Sequence, residues 1–392
     1  MSEYLRDNRR MLVYIVVSNL VLFVSFQFWQ TMFNNYAVEE LAVGPAGIGL
    51  IQSLREIPGL LGFLTAFLVM VLSEMRIMAV SILLLGVGMI FTGQAQGMSM
   101  LLGATLMMSF GFHFFQPSAS SVVLMLVKKA DTPKILGLLG SLGALAAIVG
   151  TGVVFFLEKP LGYRTLFIAF GVLSIVAGLV LLPFKAEATG LPPTRRFVLR
   201  KRYWLYYSLS LLMGCRRHIF STFAIYLLVQ QYHISVQTTA LLFLANSLVG
   251  VFTARWAGKV VAQIGERRSL SITFAALIFV FLGYAYVTYL PALYALFITD
   301  SVLFGFGLAL TTYFQKIAVS PTEITSNVSV EQTTNHIAAV IIPLVGGIVW
   351  ATYGSQAAFL VGVLIVALSL GLTQFMRIEP SGAPTASIEI PA

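Results

Sequence analysis

Twelve apolar runs, each long enough to cross a bilayer, follow one another along this chain of 392 residues. They lie at about 11–37, 45–72, 77–94, 97–127, 135–157, 165–184, 203–229, 236–263, 269–289, 291–318, 328–350 and 354–376. A spanning helix needs about 20 apolar residues, so little chain is left for a separate soluble domain. Composition agrees, since only 10% of the residues are charged, where a soluble domain carries about 25%. The single cysteine, Cys215, excludes a disulfide scaffold and leaves no cysteine cluster for a metal. The first run is too long for a cleavable signal, and no small-residue cleavage site precedes Glu39-Glu40. The expected class is an all-α polytopic membrane protein.

The net charge of +9 is distributed as a topology signal. Sixteen Lys and Arg fall on the segments of one face, and only Lys159 and Arg164 fall on the other. That split places both termini in the cytoplasm of a multi-pass protein in a bacterial-type plasma membrane. No basic patch interleaved with aromatics points to nucleic acid. The longest basic stretch, 185–202, contains Pro192-Pro193 and follows six spans. It divides the chain into an N-terminal bundle (1–184), a basic linker (185–202), a C-terminal bundle (203–379) and a disordered tail (380–392).

The halves match at an offset of 192 residues. Ser73-Glu74-Met75-Arg76 falls on Gly265-Glu266-Arg267-Arg268, Tyr14 on Tyr206, and Phe167 on Phe359. Two duplicated six-span bundles predict twelve transmembrane helices with pseudo-symmetry and a midplane site between the bundles. With these features the chain resembles the major facilitator superfamily over nearly its whole length. That family's loop motif runs Gly, three residues, Asp, a basic residue, any residue, Gly, Arg, Arg. The copy starting at Gly258 keeps Gly265 and Arg267, followed by Arg268, and departs at Ala262, Gln263 and Glu266. The resemblance implies secondary transport by alternating access, with Gly258, Gly265, Arg267 and Arg268 as a gating loop.

Six basic residues fall inside spans, and an ionisable group there normally faces a cavity or a partner. Arg55-Glu56 follows twelve residues (Val43–Leu54) and Arg216-Arg217-His218 follows thirteen (Tyr203–Cys215). Neither flank could cross about 30 Å at 1.5 Å per residue, so both clusters lie within the membrane. Two adjacent guanidiniums stay protonated and need a nearby anion, either a carboxylate of the protein or the cargo. In-span acids Glu56, Asp300 and Glu331 leave an excess of positive charge, which suits a small organic anion held by Arg55, Arg216 and Arg217. The same acids are candidates for coupling to a proton or another ion. Gln27, Gln30 and Asn34 share one helical face with Asn19 and serve either cargo or interhelical bonds. His113, beside Gln116 and Pro117, is a further candidate for cargo binding.

No phosphate-binding loop, metal-ligand pair or cofactor motif is present in the sequence. The expectation is a transporter and not an enzyme, without cofactors, working as a monomer in the bilayer on a small molecule. Abundant aromatics and Ile342-Pro343-Leu344-Val345-Gly346-Gly347, an echo of the family's exporters, support an alternative. That alternative is a proton-driven polyspecific exporter of drugs or amphipathic metabolites. A non-transporting membrane sensor or scaffold is the alternative from another class.

Overall fold

A computed structural model of the chain describes residues 9–126, 132–184 and 200–377. The regular elements among the described residues are helices. The first half comprises α1 (Arg9–Glu39), α2 (Pro45–Leu60), α3 (Thr65–Leu68), α4 (Glu74–Gln94), α5 (Met98–Leu126) and α6 (Thr132–Leu181). The second comprises α7 (Trp204–Tyr232), α8 (Val236–Ile264), α9 (Glu266–Tyr286), α10 (Leu290–Phe304), α11 (Leu308–Ile317), α12 (Pro321–Tyr353) and α13 (Ser355–Thr373). Short 3-10 turns at Leu61–Leu64 and Gly305–Gly307 join α2 to α3 and α10 to α11, so each pair makes one bent pass. Most of the linker (185–199) and all of the tail lie outside the described residues.

At 50 residues and 1.5 Å per residue, α6 is about 75 Å long, twice what one crossing needs. It breaks at Gly162, where φ is 75° and ψ is 161°, a conformation open only to glycine. The loop expected over 158–164 is therefore this one-residue reversal. Gly354 sits 192 residues later, between α12 and α13, with φ 88° and ψ 170°. The same turn chemistry closes the last hairpin of both halves, which gives the sequence repeat a structural counterpart.

The described residues thus make twelve passes in two six-helix bundles. Nine helices among them are long and apolar enough to cross a membrane, α6 counting once. The two passes outside that set are α2–α3 and α7, which carry Arg55-Glu56 and Arg216-Arg217-His218. The charges cost these spans their apolarity. Elsewhere the outer surface is hydrocarbon, with Phe156, Phe252, Phe279 and Leu364 exposed to the surroundings, as lipid contact requires.

The halves meet where α2 packs on α12 and α6 on α8. Glycines set the first of these seams. A Cβ on Gly49 would collide with the Pro343 carbonyl, and one on Gly347 would lie 2.7 Å from the Pro45 carbonyl. The Pro-Gly-Gly run that echoes exporters is thus a close-packing device between the bundles. Hydrogen bonds across the seam gather at the end opposite the basic loops. Asn35 Nδ2 donates to the Ile234 carbonyl (2.8 Å), and Thr239 Oγ1 donates to Asn35 Oδ1 (3.0 Å). Tyr226 donates to the Val43 carbonyl (3.3 Å), and Gln237 Nε2 to Glu158 Oε2 (2.8 Å). The left-handed His233 (φ 51°) that ends α7 turns the chain so that Ile234 meets Asn35. Glu39 braces this seal, accepting from Asn35 Nδ2 (2.8 Å) and from Tyr163 (2.8 Å). Burial and the Glu39 carboxylate both raise the Tyr163 pKa, so the phenol stays a donor.

Candidate substrate site

A cavity of about 290 Å³ lies between the bundles. From α1 come Gln27, Trp29, Gln30, Phe33 and Asn34, and from α2 Gln52 and Arg55. Their three- and four-residue spacings put one face of each helix on the cavity. The second half supplies Arg216, Arg217, Phe220, Ser221 and Ile225 from α7 and Phe243, Asn246 and Ser247 from α8. Phe297, Asp300, Ser301 and Phe304 of α10 complete the wall. Trp29 and Ser221, Phe33 and Ile225, and Arg55 and Ser247 are each 192 residues apart, so equivalent positions of the duplicated halves face each other here.

The charges divide into two neutralised pairs and a remainder. Arg216 is buried, and its Nη1 lies 2.6 Å from Asp300 Oδ1. Arg55 Nη2 lies 2.9 Å from Glu56 Oε1. Arg217 is exposed to the cavity and has no carboxylate in ion-pair range among the described residues, while its guanidinium lies 5.2 Å from the Phe304 ring. Arg55 similarly sits 5.9 Å from the Trp29 ring. Aromatic faces support the cations without cancelling their charge. The lining therefore keeps one net positive charge, centred on Arg217.

Glu56 anchors a second cluster beside the cavity. His336 Nδ1 of α12 is 3.2 Å from Glu56 Oε2, and His113 Nε2 of α5 is 3.8 Å from the same oxygen. The two imidazoles stand edge to face, 5.2 Å between centroids. Gly59 makes room for them, since its Cβ would overlap the His336 ring and touch His113. Pro58 deprives the Leu54 carbonyl of its helical donor, and Ser109 Oγ donates to the neighbouring Arg55 carbonyl. This support fixes the helix at its two charged side chains, Arg55 and Glu56.

The structure brings together Arg55, Arg216, Arg217, Gln27, Gln30, Asn34 and Asp300 at the cavity wall. It places His113 outside that wall, in the Glu56 cluster. Glu331 also lies away from it, accepting from the Tyr206 hydroxyl at 2.6 Å. Gly258 is half-buried in α8, and Gly265 closes the turn to α9 with φ 82°. Arg267 Nη2 reaches Gln374 Oε1 (3.2 Å) within its own half, and Arg268 lines a surface pocket with it. Glu266, where the family motif has a basic residue, is buried and pairs with Lys316 (2.5 Å). Burial pushes the Glu266 carboxyl up, but the Lys316 bond and its own backbone N–H hold it below the usual carboxylate range.

Sequence reasoning missed Trp29, Gln52, Asn246, Ser247 and the phenylalanine lining. The available signal was the polar Asn246-Ser247 pair interrupting the eighth apolar run. Aromatic lining carried none, because a phenylalanine facing cargo and one facing lipid look alike in sequence. Three polar atoms in this wall have no hydrogen-bond partner in the protein, namely Trp29 Nε1, Asn34 Oδ1 and Asn246 Oδ1. Each unpaired buried group costs about 1–3 kcal/mol.

Two duplicated helical bundles enclosing a charged central cavity define a polytopic membrane transporter. The family model of the Major Facilitator Superfamily matches residues 15–322, and the chain belongs to that superfamily; it is a transporter and not an enzyme. Solved structures agree on the fold. A mutant of the nucleoside transporter NupG superposes with a TM-score of 0.78 at 16% identity, covering 93% of this chain and 99% of that one. A bacterial homologue of the human lysosomal transporter Spinster, inward-facing and unoccupied, gives 0.73 at 13% identity, covering 95% and 97%. No curated protein matches the sequence.

Proposed function

We propose that this transporter is a secondary active carrier of a small organic anion, working by alternating access in a bacterial-type plasma membrane. The observation that carries the reading is Arg217, a guanidinium open to the cavity without a carboxylate to neutralise it. Arg55 lies on the same wall, and Gln27, Gln30 and Asn34 add hydrogen-bonding groups. Bundles at 1–184 and 203–379, joined by the basic linker 185–202, rock about this site as a monomer. The basic end faces the cytoplasm, with both termini, by the positive-inside rule. In that orientation the Asn35 seal closes the outside, and the state is inward-facing.

Coupling to a proton is assigned to Glu56, because titratable His113 and His336 adjoin it and His336 belongs to the opposite half. Asp300 acts as the counter-ion of Arg216. A nucleoside cargo, by analogy with the nucleoside transporter NupG, would leave Arg217 without a counter-charge. The six aromatic side chains of the lining favour the second reading, a polyspecific exporter.

Uptake into proteoliposomes across a panel of labelled organic anions, with and without a pH gradient, tests the proposal. Saturable uptake that Arg217→Gln abolishes, with folding preserved, supports it. Equal uptake by the variant would remove the anion reading. Resistance to dyes on overexpression, without anion flux, would favour the exporter.

A further inference from the structure

The wall of the cavity narrows the cargo further, on the reading that Arg217 holds its charge. Both halves present flat faces. Trp29 and Phe33 stack with centroids 4.3 Å apart on α1, and Phe220 and Phe297 stack at 5.9 Å across α7 and α10. A cavity of about 290 Å³ is at the small end for ligand sites, with room for one ring and its substituents. Rings on both sides favour a planar cargo over a branched aliphatic one.

The unpaired atoms add polarity to that outline. Asn34 is 8% exposed and Trp29 1% exposed, yet Asn34 Oδ1 and Trp29 Nε1 have no partner in the protein, nor does Asn246 Oδ1. Buried polar groups in native proteins are paired, and the three residues that carry these atoms line one cavity. Asn34 and Asn246 come from opposite bundles, and both leave an acceptor oxygen. A cargo that satisfies them must bring N–H or O–H donors. Charge sets the last constraint: with Arg55 and Arg216 each paired to a carboxylate of the protein, only Arg217 needs a partner from the cargo.

We infer that the substrate is a planar aromatic or heteroaromatic monoanion carrying at least one N–H or O–H donor. Its carboxylate meets Arg217, its ring lies among the phenylalanines and Trp29, and its donor is accepted by Asn34 or Asn246. A site built to bond a substrate hydroxyl discriminates strongly against the analogue that lacks it.

Four probes of similar size separate these features. They are 4-hydroxybenzoate, benzoate without the donor, cyclohexanecarboxylate without the flat ring, and 4-hydroxybenzamide without the charge. Binding to the purified full-length protein is measured by calorimetry and by thermal shift. The expected result is 4-hydroxybenzoate binding at least tenfold tighter than each of the other three. Asn34→Leu and Asn246→Leu should narrow the gap between 4-hydroxybenzoate and benzoate. Three carboxylates binding within twofold of one another, with the amide excluded, would overturn the ring-and-donor inference and leave the anion reading standing. An amide as tight as its acid, or no binding by any carboxylate, would overturn both. The wild-type panel decides this even if the variants fail to fold.

Discussion

Replacing Asn35 with Leu should tip the carrier toward the state open at the end where Asn35 sits. The amide is fully buried and makes two hydrogen bonds across the bundles, to the Ile234 carbonyl and from Thr239. Leucine keeps the volume and removes both. Each bond is worth about 0.5–1.5 kcal/mol net, so the sealed state loses about 1–3 kcal/mol. Water can pair the freed groups only after the bundles part, so the loss falls on the sealed state alone. That free energy changes the ratio of the two states by about 5- to 150-fold. Spin labels on Gln96→Cys and Thr288→Cys, in a Cys215→Ser background, report the change. Both sites are exposed, lie in loops at the sealed end of opposite halves, and are 192 residues apart. Electron–electron distance measurements should show a longer component growing in Asn35→Leu. Thr239→Val, which removes one of the two bonds, should give a smaller shift in the same direction. An unchanged distance distribution in a protein that still melts cooperatively would refute the seal as drawn.

The glycine seam supplies a steric version of the same experiment: Gly347→Val presses on the Pro45 carbonyl, and the same labels should move apart. Asp300→Asn leaves Arg216 buried without its counter-ion at a cost of about 3–5 kcal/mol, read as a fall in Tm. Adding Arg216→Met should restore most of that stability. Intact Tm together with lost proton coupling in Asp300→Asn would instead make Asp300 the coupling group. Lys316→Met should destabilise the second bundle at neutral pH. The folded pKa of Glu266 lies below its ordinary 4.5, so its stabilisation is complete above that value and is lost as pH falls through the folded one. The Tm gap between wild type and Lys316→Met should therefore close on acidification, and a gap that widens would contradict the pairing.

The sequence carried the passes and their duplication, because hydrocarbon thickness imposes a length and a polarity that any spanning segment must obey. It also carried the depth of Arg55-Glu56 and Arg216-Arg217, since too few residues flank them for either to reach the surface. Partners were another matter. Adjacent Arg216 and Arg217 are chemically identical on paper, and about 100° of helical rotation sends one to Asp300 and the other to open space. The choice depends on where α10 packs against α7, which is a long-range fact. His336 acquires meaning only from α12 lying against α2, and Gly49 and Gly347 are what permit that contact. His113 shows the converse: an intramembrane histidine is legible as polar and buried, but which neighbour it serves is set by the packing of α5 on α2. The reversal between the spans ending at 157 and starting at 165 falls where the sequence leaves room for it, but it is tighter than a seven-residue connection, because one glycine at φ 75° turns the chain.

The division of labour among the charges bears on how such a carrier could move at all. Separating a buried ion pair is expensive, since each partner would be left in hydrocarbon without its counter-charge. The Lys and Arg pairs with carboxylates among the described residues avoid this, for buried Arg216–Asp300, partly buried Arg55–Glu56 and Lys316–Glu266, and exposed Arg164–Glu40 (3.5 Å) each lie within one half. Rocking the bundles leaves all four closed. What crosses the seam is weaker: bonds among backbone carbonyls, amides and hydroxyls, one from Gln237 to the Glu158 carboxylate, and glycine contacts, each cheap to exchange for water. Near mid-depth the titratable groups that meet across the halves are His336 with Glu56 and with His113, and of these only His336–Glu56 pairs a base with an acid. Its strength depends on whether the imidazole carries a proton, so the same motion that opens the seam changes the proton's environment. A carrier whose strong pairs stay inside rigid bodies, and whose proton-sensitive pair spans them, can link a proton to the movement without ever exposing a bare charge to lipid.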